Sequence, residues 1–145
     1  MSTVEFVHAY IHRLCRQLGA NADAIYNAKT GAWYFSRGAS TIEVFLTNVG
    51  DNEETGRIFF RCIAPIYTIT TNPIRQFELY QKMLELNTRH MGIKLALIPD
   101  KQLICVISER DIEGMDYGEF ITVITDISYW AGYFETSLKE QFGKP

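Results

Sequence analysis

The chain has 145 residues and a mass of 16.7 kDa, the size of one ordinary domain spanning residues 1–145. Hydrophobic residues make up 47% and charged residues 21%, which excludes a disordered chain and leaves a globular domain able to bury a real core. The net charge of -3 argues against a nucleic-acid partner, since such binders are usually basic. The charge is uneven, +2 over residues 1–99 and -5 over residues 100–145. Glu109, Asp111, Glu113, Asp116 and Glu119 cluster around one connection and read as a solvated loop with an acidic helix start.

A first helix is expected from Ser2 or Thr3, either of which can cap it. Val4, Val7, Ile11, Leu14 and Leu18 lie on one face, and Gly19 stops the helix. Asn21 to Thr30 reads as a loop or short turn. Three strand-like runs follow. Ala32 to Arg37 contains Trp33, Tyr34 and Phe35, and Thr41 to Asn48 alternates between two faces. After a surface turn at residues 50–56, Arg57 to Thr70 forms a long apolar run that Pro65 should bend or place at an edge.

Asn72 caps a second helix with Pro73 at its first position, and Gly92 stops it after about Met91. Strands at Ile93 to Ile98 and Leu103 to Ser108 are joined by the hairpin Pro99-Asp100-Lys101-Gln102. A last helix runs from about Tyr117 to Phe142. The order α-β-β-β-α-β-β-α is that of an α+β protein with an antiparallel sheet.

The faces of these elements point to a partner. Arg75, Glu78, Lys82, Glu85 and Arg89 form a charged, solvated stripe on the second helix. Ile74, Phe77, Tyr80, Leu84 and Met91 lie opposite it, and Leu79, Met83 and Leu86 make a further apolar strip. A helix on the outside of a monomer needs one apolar stripe, so the extra strip either meets a strand or forms a subunit interface. The strands at 57–63 and 103–107 are apolar on both sides, so both faces of the sheet need cover. Three helices can supply it, or two helices and a partner chain.

Chemistry-bearing patterns are sparse. His8 and His12 have the spacing of a metal pair but no third ligand, and they read as polar surface or packing groups. Cys15, Cys62 and Cys105 are odd in number and widely spaced, which fits reduced thiols in an intracellular protein without zinc or redox work. The N-terminus has no basic region followed by an apolar one, and no stretch approaches the ~18 apolar residues of a membrane span. There is no GxSxG, GxGxxG or GxxxxGK[ST] pattern. Arg57 and Arg61, with Glu43 nearby, read as surface ion pairing rather than phosphate binding. Trp33, Tyr34, Tyr129, Trp130 and Tyr133 read as core or core-edge aromatics, a residue type that also anchors interfaces.

Three segments carry a resemblance over nearly the whole chain. They are Leu14-Cys15-Arg16-Gln17-Leu18-Gly19; Met83-Leu84-Glu85-Leu86-Asn87 with Gly92-Ile93-Lys94-Leu95-Ala96-Leu97; and Asp111-Ile112-Glu113-Gly114-Met115-Asp116 leading to the long helix with Trp130. With the element order, they resemble the type III secretion chaperone-like fold and, within it, the YbjN-like proteins, which are often labelled sensory transduction regulators. Pro99-Asp100-Lys101-Gln102 departs from the Asp-Gly hairpin of many relatives, which changes the turn and not the fold.

The resemblance implies a bacterial, cytoplasmic, non-enzymatic homodimer that binds another protein, with no cofactor, metal, nucleic acid or membrane as partner. The dimer is expected to bury Leu79, Met83 and Leu86, and the partner surface to use Trp33, Phe45, Phe59 and Ile63. The alternative is an enzyme or small-ligand binder with a pocket between sheet and helices, lined by polar groups such as His12, Arg61 and Glu43.

Overall fold

The computed structural model describes residues 3–38, 40–50 and 57–144. Helix α1 spans Thr3–Leu18 and buries Val7, Ile11, Leu14 and Cys15. Thr3 is its first helical residue rather than its cap, and Ser2 lies outside the described residues. Gly19 follows with φ 71, the left-handed conformation that glycine adopts without steric cost. The segment read as a loop contains a two-residue strand, β1 (Tyr26–Asn27), too short to alternate and created only by its pairing with β2 (Ala32–Arg37).

Strands β3 (Ser40–Val49) and β4 (Arg57–Thr68) continue the meander. The surface turn expected between them lies largely outside the described residues. Pro65 acts as the sequence suggests, since the register shifts between Pro65 and Tyr67. It bends a central strand rather than marking an edge, because β4 is paired on both sides.

Helix α2 (Pro73–Arg89) starts as expected, with the Asn72 side chain accepting hydrogen bonds from the Ile74 and Arg75 amides. It carries the chain to the sheet edge, where β5 (Lys94–Ile98) forms. A 3-10 turn over Pro99–Lys101 then reverses into β6 (Leu103–Asp111). Gln102 closes that turn with φ 53, the one positive value among the described non-glycine residues. Helix α3 (Tyr117–Phe142) begins with a capping box: the Asp116 carboxylate accepts from the Glu119 amide, and the Glu119 carboxylate accepts from the Asp116 amide.

The six strands form one antiparallel sheet of order β1-β2-β3-β4-β6-β5. Residues directly opposite in antiparallel pairs share a face. Val44 stands opposite both Trp33 and Cys62, and Cys62 opposite Ser108; Val106 stands opposite both Ala64 and Leu95. This face joins Val7 and Ile11 of α1, Leu79 and Met83 of α2, and Phe120 and Phe134 of α3 in a single core. All three helices therefore bury against the same side of the sheet. The three helices do not share out the two sides: the opposite face carries no helix among the described residues.

Helix α3 is fastened at both ends. Near its start, the Tyr117 hydroxyl donates to Gln17 Oε1 at 2.5 Å, and the Arg13 guanidinium lies 3.8 Å from the centre of the Tyr117 ring. Near its end, the Tyr67 hydroxyl donates to the Gly143 carbonyl at 2.7 Å.

Candidate functional site

The uncovered sheet face is built by the residues that alternate with the core positions. Phe45, Phe59, Ile63 and Pro65 lie on it half-buried, with Cys105 and Ile107 almost fully buried beside them. Register places Phe45 opposite Arg61, Arg61 opposite Glu109, and Ile63 opposite both Glu43 and Ile107. The result is an apolar centre crossed by a line of charge.

That charge is neutralised within the face. Glu109 accepts from Lys94 Nζ at 2.7 Å and stands 3.1 Å from Arg61 Nε. Arg57 and Asp111 pair at 2.7 Å. The hydrogen bond from Lys94, with Arg61 beside it, holds the Glu109 carboxyl below its ordinary range. Asp111 is likewise lowered, first by the Glu113 amide and then by Arg57. Of the acidic cluster, Glu109, Asp111, Asp116 and Glu119 are thus absorbed in pairs and caps, with Glu119 also 3.2 Å from Arg110.

A second apolar surface lies on the outside of α2. Ile74, Phe77, Leu84 and Met91 are 72%, 68%, 69% and 94% exposed. Ile74, Phe77 and Leu84 repeat at spacings of 3 and 7, the period of a coiled-coil seam, while Met91 lies just beyond the end of α2. The expected orientation of this helix is reversed. Leu79, Met83 and Leu86 are 0%, 7% and 6% exposed because they pack on this chain's own sheet, so they do not form a free interface. Of the strip opposite the charged stripe, Ile74, Phe77 and Leu84 face outward, while Tyr80 packs half-buried against the core. The charged stripe runs along the flank toward α3, where Arg75 donates to the Gln141 carbonyl at 3.1 Å and its guanidinium lies 5.1 Å from the Phe142 ring.

The partner candidates divide. Phe45, Phe59 and Ile63 are together on the open face. Trp33 is not with them: it is 5% exposed in the core, packed edge-on against Tyr26 and His8. Its strand parity puts it opposite Val44, a core residue, which the composition of the run Trp33-Tyr34-Phe35 does not reveal. Tyr129 and Tyr133 are exposed on α3, flanking the half-buried Trp130, which stacks on Phe134 and meets the His90 ring at a tilt.

The polar trio of the pocket alternative does not converge. Glu43 and Arg61 are on the open face, while His12 is exposed on α1, on the other side of the sheet. The space between sheet and helices is filled by Phe60, Phe120, Phe134 and Ile127. Cys15, Cys62 and Cys105 are buried free thiols. Burial raises all three, Cys105 to about 11 with Glu43 adding to the effect and Lys101 opposing it, so none has thiolate character at neutral pH. Among the described residues, no three His, Cys, Asp or Glu side chains gather as a metal would require, and no helix is long and apolar enough to cross a membrane.

No family model and no curated protein matches this chain. Its structure is similar to that of the Yersinia pestis type III secretion chaperone SycH, solved in complex with a stable fragment of YscM2. The likeness has a TM-score of 0.55 at 16% sequence identity, over 86% of this chain and 96% of that one. It is a likeness of fold, and it agrees with the α+β architecture read from the sequence.

Proposed function

We propose that the chain is a non-enzymatic, chaperone-like protein-binding module of the bacterial cytoplasm that works as a homodimer. The observation that carries this reading is the uncovered sheet face. Phe45, Phe59, Ile63 and Pro65 offer apolar area, and the charges among them are already paired. Such a surface suits an apolar protein segment better than a charged ligand. The fold shared with SycH, a chaperone solved with a protein fragment, supports the same reading. The finer assignment to YbjN-like proteins, with their regulatory label, belongs to this proposal and rests on the sequence segments quoted above.

The dimer moves from the buried strip to the exposed one. Ile74, Phe77 and Leu84 form a seam that a two-fold axis pairs with its own copy. Light scattering at micromolar concentration is expected to give twice 16.7 kDa for the native chain and 16.7 kDa for the Phe77→Glu, Leu84→Glu variant. A native mass of one chain removes the homodimer. For the sheet face, proteins retained by the native chain from its own cells are expected to be lost with Phe45→Glu, Ile63→Glu but kept with the α2 variant. Identical retention by both variants, each folded by circular dichroism, removes the sheet face as the partner surface.

A further inference from the structure

Where the β2–β3 hairpin meets the last third of α3, a polar cluster lies apart from both apolar surfaces. Arg37 ends β2 with a side chain only 12% exposed. Its Nη2 donates to Glu135 Oε2 at 3.2 Å and to the Pro65 carbonyl at 3.3 Å. Both bonds leave from that one nitrogen. Nε is buried without an acceptor, and Nη1 has no hydrogen-bond partner among the described residues. One turn along α3 from Glu135, Lys139 Nζ stands 3.5 Å from Glu135 Oε1.

Two cations thus share one carboxylate, and the cluster holds a formal positive charge in a chain whose net charge is -3. Arg37, Gly38, Ser40, Glu135 and Lys139 line a cavity of about 290 Å³ there. The Ser40 hydroxyl makes only a 3.5 Å contact with the Pro65 carbonyl and is free to turn. Unused guanidinium donors, an ammonium and a hydroxyl around one concavity are the elements of oxyanion recognition. Glu135 does not fill this role for both cations, because it meets Lys139 only at 3.5 Å and accepts from Arg37 through Nη2 alone. It fixes the guanidinium plane instead.

We propose that this cavity binds a small oxyanion, a carboxylate or a phosphate, through Arg37 Nη1, Lys139 Nζ and the Ser40 hydroxyl. The group reaches it either as a free ion or as a carboxylate at the end of a protein segment. The chemistry is the same, and the proposal is independent of the partner surface described above.

The test is NMR titration of the full chain with inorganic phosphate, acetate, and a short peptide with a free or an amidated C-terminus, with ionic strength held constant by chloride. Saturable shifts are expected at the amides of residues 37–40 and 135–139. A response to the free-carboxylate peptide but not its amide identifies a chain terminus as the source, and a response confined to the inorganic probes identifies a free ion. Lys139→Gln, at an exposed position, is expected to weaken binding about tenfold, and Ser40→Ala to weaken it less. These variants avoid Arg37, whose loss also unties α3 from the hairpin. Absence of saturable shifts with every probe, or affinity unchanged in Lys139→Gln, overturns the proposal.

Discussion

The side-chain amide of Asn87 makes the two hydrogen bonds to Leu95 that a neighbouring strand would make. Asn87 Nδ2 donates to the Leu95 carbonyl at 3.1 Å, and the Leu95 amide donates to Asn87 Oδ1 at 2.7 Å. β5 is an edge strand, and the outward backbone groups of an edge are a template for unwanted pairing. One residue of α2 thus closes part of the edge and ties the helix to the sheet.

Asn87→Ala leaves both backbone groups of Leu95 unserved. The expected loss is about 1–3 kcal/mol, read as a lower urea midpoint. Asn87→Asp keeps the acceptor and loses the donor, so its midpoint should fall between. Hydrogen exchange at the Leu95 amide should quicken in Asn87→Ala and much less in Asn87→Asp.

The orientation of α2 is open to a direct test of stability. Leu79 is fully buried, and Leu79→Ala should cost about 2–5 kcal/mol through lost burial and the cavity left behind. Leu84 is 69% exposed, and Leu84→Ala should change the stability of the single chain by about 0.5 kcal/mol or less. Urea unfolding at a concentration low enough to hold one oligomeric state compares the two.

The capping box of α3 should be worth measuring in the same way. Asp116→Ala removes the acceptor for the Glu119 amide and frees the first turn of the helix. A loss of about 0.5–2 kcal/mol is expected, with faster exchange at the Glu119 amide.

Glu109 should make stability fall in acid. Its folded carboxyl is held below the ordinary range by Lys94 and Arg61, so the unfolded chain binds the proton more readily. The stabilisation is present above the ordinary carboxylate range and is lost as pH falls through the folded value. The stability advantage of the native chain over Glu109→Gln should shrink as pH falls through the ordinary carboxylate range and below it. An advantage constant across that range refutes the paired role of this carboxylate.

Much of the fold was legible because its signals are local. Asn72-Pro73 announces a helix start by chemistry that acts within three residues, and it acts as read. The alternation of Ile42, Val44 and Leu46 marks a strand wherever it lies. β1 escaped because two residues carry no period, and it exists only through Trp33 and Ala32 across from it. Of the expected partner surface, Phe45, Phe59 and Ile63 share the open face, since they sit on paired strands whose parity is fixed by register. Trp33 fell on the other side because its own strand's parity is set by Val44 opposite it.

The residues alone set the order of every strand and α-helix but β1, most of the boundaries, and which residues of each helix share a strip. Hydrophobic period and caps are properties of neighbouring residues, so no distant contact is needed to read them. Only the tertiary structure decided which strip of α2 faces inward. Periodicity fixes the angles between side chains around a helix axis but not the rotation of the whole helix, and both strips of α2 are apolar. The choice fell to the sheet, which buried Leu79, Met83 and Leu86 and left Ile74, Phe77 and Leu84 outside. The same holds for the bare sheet face. Strands apolar on both sides show that two faces need cover, but the placement of all three helices on one of them is set by packing across the whole chain.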